Sequence, residues 1–143
     1  MSDYEILELG APDDWRAYVG GFRPTTTRDG RRVVDHELAT EFIGMTANAF
    51  VPGEEAGYWH THDDIEELYV FLAGEGQMGL DDEVVDVGPG TVVRVAQGVW
   101  RTWRCLPSSA GELRWLCIRA GGGMIAHLPN DSHRDDERAS PWS

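Results

Sequence analysis

Apolar and polar residues alternate along this chain in short runs, and turn-forming residues cut the runs about every eight to twelve positions. The pattern predicts a short strand over 4–9, one or two helical turns over 13–19 behind a cap at Asp13, and a loop over 22–30. Further strands are predicted over 31–38, 40–51, 57–62, 67–72, 76–80, 83–87, 91–95, 99–105 and 113–119. Asp81-Asp82, Gly88-Pro89-Gly90, Gln97-Gly98 and Pro107-Ser108-Ser109 supply breaks between them. Gly121-Gly122-Gly123 ends the run, with one more strand over 124–128 and an acidic, polar tail over 129–143, expected to be mobile or laid over a neighbour. Many short strands at regular spacing argue an all-β sandwich or barrel. The pattern by itself leaves jelly-roll, immunoglobulin-like and lipocalin-like arrangements open.

The run over 67–72 departs from simple alternation. Tyr69 and Phe71 share the face of Glu67, while Leu68, Val70 and Leu72 make the opposite face apolar as well. A strand apolar on both faces is buried on both. In a small barrel the outer face needs another layer or a second subunit, so a homodimer is expected.

A chain of 143 residues is sized for one domain, expected over 1–128. Its net charge is −13, and every basic residue other than histidine is arginine. That balance disfavours nucleic acid and an anionic membrane surface as partners. It reads either as a solubilising surface or as adaptation to high salt. No apolar run is long enough to span a bilayer as a helix, and no secretory signal is visible at the first residues. Cys105 and Cys117 read as buried free thiols, so a reducing cytoplasm is the expected location.

The chemistry concentrates in residues 53–74. His60 and His62 are two apart, so on a strand both imidazoles leave one face. Glu67 opens the next predicted strand, and Gly74 closes it. Two imidazoles and a carboxylate on facing strands form a candidate three-ligand set for a first-row transition metal: Mn, Fe, Ni, Cu or Zn. Nucleophilic catalysis has no support, because Ser108 and Ser109 lack a nearby histidine and no Gly-x-Ser-x-Gly elbow occurs. No glycine loop of the phosphate-cradling type is present either.

The spacing His60-x-His62-x4-Glu67-x6-Gly74 resembles the first motif of the cupin superfamily, with Gly53 one residue too far upstream. The second motif can be laid on residues 90–105. There Gly90 and Gly98 match, while Ala96, Arg101 and Cys105 replace its proline, histidine and asparagine. The resemblance covers roughly residues 40–120, leaving 1–39 as an N-terminal extension. It implies a double-stranded β-helix, or jelly roll, with His60, His62 and Glu67 converging inside the barrel on one divalent transition metal. The histidine that Arg101 replaces is the fourth ligand in most cupins. Arg101 therefore has two readings. In one it pairs with Glu67 and the metal site is extinct. In the other, two histidines and a carboxylate still hold the metal, and Arg101 grips a substrate carboxylate or phosphate beside it. Tyr69, Phe71 and Trp103 complete the expected lining of a small-molecule cavity. The functions that follow are a metal-dependent enzyme, an oxygenase or isomerase acting on a small anionic substrate, or a non-catalytic, metal-free binding or sensing module.

Overall fold

A computed structural model describes residues 3–142. Two five-stranded antiparallel sheets face each other as a jelly roll. The strands are β1 Val19–Gly20, β2 Arg28–Asp29, β3 Arg31–Val33, β4 Gly44–Phe50, β5 Trp59–His62, β6 Glu66–Ala73, β7 Gly76–Leu80, β8 Glu83–Val87, β9 Val92–Val95, β10 Arg101–Cys105, β11 Leu113–Ala120 and β12 Ser132–Asp135. One sheet runs β12-β5-β10-β7-β8 and the other β3-β4-β11-β6-β9, while β1 and β2 form a separate two-stranded ribbon. No helix among the described residues is long and apolar enough to cross a membrane.

Side chains from the two inner faces fill the barrel. Phe50, Tyr69, Phe71, Met78, Trp103, Leu113 and Trp115 dominate this core, and the free thiols Cys105 and Cys117 are buried with them. A smaller cluster lies on the other side of β4 and β11. There Trp15 packs on Ala47 and Ala49, with Leu9, Tyr18 and Leu116 around it. The N-terminal segment thus covers part of one sheet's outer face. It does not reach Leu68, Leu72 and Val92, which are 36%, 45% and 57% exposed.

Predicted strands over 76–80 and 83–87 form over those residues. Other elements differ. Residues 4–9 form no strand: Tyr4 and Ile6 are exposed and no neighbouring strand accepts their backbone. The predicted helical turns are a 3-10 helix over Pro12–Ala17, and Val34–His36 and Ile125–His127 are 3-10 turns rather than strand. The tail, expected to be mobile or laid over a neighbour, folds back on its own chain. Strand β12 pairs with β5, Ser132 opposite His62 and Asp135 opposite Trp59. Beyond it the Trp59 indole donates to Ala139 O at 3.1 Å, and the Arg138 guanidinium lies 3.9 Å from the centre of the Trp59 ring.

Candidate metal centre

Strand β5 carries His60 and His62 with their ring centres 5.3 Å apart, and β6 brings Glu67 opposite them. Glu67 Oε1 lies 3.7 Å from His60 Nε2, and Oε2 lies 3.8 Å from His62 Nε2. One ligand atom from each of the three residues falls within 4.8 Å of the others, so the group is placed to hold a metal. Ligands about 2.1 Å from a common ion sit roughly 3–3.5 Å apart, so binding draws the three groups together, by up to about 1.3 Å for the widest pair. Gly74 follows the glutamate's strand at φ +79°, where a side chain would run into the Glu112 carbonyl, which accounts for the glycine of the motif.

The neighbours of each ligand matter as much as the ligands. His62 Nδ1 lies 2.8 Å from Asp131 Oδ1, and Asp131 Oδ2 accepts the backbone N–H groups of Asp64 and Ile65 at 2.8 and 2.9 Å. A carboxylate on one imidazole nitrogen fixes the ring so that the other nitrogen faces the metal position. Burial pushes the Asp131 carboxyl up, but the His62 contact and the two amides outweigh it and hold it below the usual range. His60 Nδ1 is buried without a partner among the described residues, and Nε2 faces Glu67. Burial lowers the His60 pKa, against the pull of Glu67 and together with the charge of Arg101, so the ring is neutral with a lone pair to donate.

Glu67 is 5% exposed. Burial alone would raise its carboxyl pKa, but the two imidazoles and Arg101 prevail and hold it well below the carboxylate range. Three protein donors reach it. Tyr69 Oη donates to Oε1 at 2.7 Å, Cys117 Sγ to Oε2 at 3.3 Å, and Arg101 Nη1 to Oε1 at 2.6 Å. Burial, reinforced by the Glu67 charge, raises the Tyr69 and Cys117 pKa values well above normal, so both stay protonated and donate. Oε2 is the less encumbered oxygen and the one nearer His62.

Arg101 faces inward, as its parity with Trp103 and Cys105 predicts, and is fully buried. The contact with Glu67 that one of its two readings expects is present. Nη1 is on Glu67, Nη2 donates to Val99 O at 2.9 Å and Ala96 O at 3.3 Å, and no part of the group reaches solvent. Phe71 is fully buried between Tyr69 and Trp115. Tyr69 serves the site through its hydroxyl on Glu67. Trp103 packs edge-on to His60 at 5.3 Å and is the one expected lining residue that touches a histidine. Two surface hollows, one bordered by Leu80–Glu83 and one by Tyr18–Gly21 and Arg31–Val33, include none of His60, His62, Glu67, Tyr69, Phe71, Arg101 and Trp103.

Sequence reasoning missed Asp131 and the Cys117 thiol. Asp131 is 69 residues from His62 in a tail of polar composition, and no spacing signals it.

A family model described as a cupin domain matches residues 49–119. No curated protein matches the chain. Among solved structures, a cupin protein from Bacteroides fragilis is 22% identical, with 90% of this chain and 91% of that one covered and a TM-score of 0.68. An uncharacterized conserved protein with a double-stranded β-helix domain from Klebsiella pneumoniae is 17% identical, with coverage of 91% and 98% and a TM-score of 0.63. KdgF from a Halomonas species is 14% identical, with coverage of 73% and 86% and a TM-score of 0.57. At these identities the likeness carries the fold.

Proposed function

Because the chain belongs to the cupin superfamily, we propose that it holds one divalent first-row transition metal on His60, His62 and Glu67 and binds a small anionic molecule there. The observation that carries this reading is the orientation of the ligands. Both Nε2 atoms face Glu67, and Asp131 holds His62 from behind. Histidine nitrogens and a carboxylate suit Mn, Fe, Ni, Cu and Zn alike. Three protein ligands leave coordination positions open, as in catalytic rather than structural sites. A metal there supplies Lewis-acid polarisation of a ligand oxygen. We read the chain as a metal-dependent enzyme of the oxygenase or isomerase kind.

A specific contact favours a second reading. Arg101 already neutralises Glu67, as it would in a metal-free binding module. Elemental analysis of freshly purified protein, followed by calorimetric titration with each of the five metals, separates the two. We expect one metal per chain and no uptake by His62→Ala. Absence of metal in the native protein, with no binding of any of the five, refutes the metal reading and leaves the binding module.

A further inference from the structure

Arg28 lies in the threonine-rich stretch read from sequence as a loop, and the structure turns its side chain into the barrel. Its guanidinium carbon is 4.9 Å from the ring centre of Phe50, 5.6 Å from that of Trp103 and 5.7 Å from that of Trp115. All three aromatics belong to the core. The next residue but one, Gly30, sets the approach. At φ +70° its backbone lies against Ala49, where a side chain would meet the Ala49 carbonyl.

The guanidinium is held in place. Its Nη2 donates to Asn48 Oδ1 at 2.8 Å. Asn48 is 1% exposed, and its Nδ2 donates to Thr46 Oγ1 at 2.9 Å, with the Thr46 and Trp115 carbonyls at 3.3 and 3.5 Å. Those contacts fix which end of the amide faces Arg28.

One of its remaining donors, Nε, is not satisfied, although the residue as a whole is half-buried. Among the described residues, Arg28 Nε is sealed from solvent with no acceptor, and so is the indole Nε1 of Trp103. Among the described residues no carboxylate pairs with Arg28. Glu54, whose charge reaches it, is engaged by Arg16 at 2.8 Å. Arg31 adds a second positive charge. This chain has 25 acidic residues against 12 arginines, so carboxylates are not scarce. Burial and Arg31 bring the Arg28 pKa down to about 9, which leaves it cationic at neutral pH. A cation without a counter-charge and with an orphaned donor is costly even when half-buried, and an oxyanion relieves both defects.

The position joins this feature to the metal group. The Trp103 ring that lies under Arg28 also packs on His60, so one indole separates the guanidinium from the candidate ligands. We propose that Arg28, assisted by the Trp103 indole N–H, anchors one carboxylate of a short-chain organic acid whose other end reaches the metal group. The assignment rests on the metal reading above for the second end only. Arg101 Nε is unpaired as well among the described residues, but Glu67 already compensates the Arg101 charge, and its Nη groups are taken by Glu67 and two carbonyls. A single guanidinium backed by a neutral amide matches a planar, singly charged carboxylate better than a phosphate dianion.

The test titrates malonate, succinate, glutarate, benzoate and inorganic phosphate into the full chain by calorimetry, metal-free and zinc-loaded. We expect a dicarboxylate to bind the zinc form best. Arg28→Met should weaken it about tenfold or more with zinc affinity unchanged, and Trp103→Phe should weaken it less. Arg28→Lys keeps the charge and loses the planar fork, so it should fall between wild type and Arg28→Met. If Arg28→Met does not fold, unchanged carboxylate affinity in Arg28→Lys overturns the proposal. It is equally overturned if Arg28→Met binds as wild type does, if phosphate outcompetes every carboxylate, or if no acid binds. Zinc binding without carboxylate binding sinks the anchor and leaves the metal reading standing. Arg28-dependent benzoate binding in a chain that takes no zinc sinks the metal reading and supports the anchor.

Discussion

Arg101→Met removes the cation nearest the proposed metal position, and the structure sets the size of the effect. The guanidinium is fully buried, its contact with Glu67 Oε1 is 2.6 Å, and the Glu67 side chain is 6% exposed. Solvent therefore screens this pair very little. Removing one partner of a buried pair costs about 3–5 kcal/mol, because the other charge is left uncompensated. The Val99 and Ala96 carbonyls lose a donor as well. A domain of this size is stable by about 5–15 kcal/mol, so the variant should still fold. At about 4 °C per kcal/mol the melting temperature should fall by roughly 10–20 °C in the metal-free state. A divalent ion on Glu67 supplies the missing positive charge. At 100 to 1,000 times its Kd, a bound ion contributes about 3–4 kcal/mol, similar in size to the loss. In the wild type Arg101 competes with the metal for the same carboxylate, and in the variant it does not. Saturating metal should therefore raise the melting temperature of Arg101→Met more than that of wild type. The assay is scanning calorimetry of chelator-treated protein with and without excess zinc. Equal metal-induced shifts in the two proteins refute the reasoning. So does a metal-free variant that melts within about 2 °C of wild type.

Arg101→His restores a fourth nitrogen ligand and should tighten zinc relative to wild type in a calorimetric titration. Asp131→Asn keeps the shape behind His62 but removes the charge, and should weaken the metal about 10–100-fold without abolishing it. Leu68, Leu72 and Val92 leave an apolar outer face exposed, so we propose a homodimer at micromolar concentration. Sedimentation showing only a 15.9 kDa species would exclude that dimer. If the −13 charge repels itself at low ionic strength, the melting temperature should rise from dilute buffer to molar salt. A flat response would leave the charge as a solubility device.

The central strands were legible because each carries its own alternation and its own turns. The strands over 76–80 and 83–87 form a hairpin whose Asp81-Asp82 turn is local, and Asp81 adopts a positive φ of 52° there. The His60, His62 and Glu67 group was legible because its members lie on β5 and β6, which are consecutive in sequence although they belong to facing sheets. Pairing with distant chain was not legible. Residues 4–9 alternate as a strand does, but no sheet edge receives them. Residues 132–135 have no apolar pattern and still form β12, because an edge strand needs only its backbone groups matched by β5. Arg28 and Asp131 act across the fold from polar stretches whose composition resembles an ordinary loop and an ordinary tail. The parity of Arg101 with Trp103 and Cys105 specifies its inward face. Its contacts with the Ala96 and Val99 carbonyls depend on a turn that local sequence does not specify.

The carboxylate that steadies His62 stands immediately before β12, the strand at the sheet's edge. Ligand orientation and strand docking therefore share one free energy. If a bound metal tightens the docking of residues 132–135 by some factor, loosening those residues must weaken the metal by the same factor. An edge strand is also where another polypeptide can add to a sheet. A chain that displaced β12 from β5 would withdraw Asp131 along with it. Occupancy of the metal position would then report on the state of the sheet's margin, and a peptide that never enters the barrel would lower metal affinity from outside.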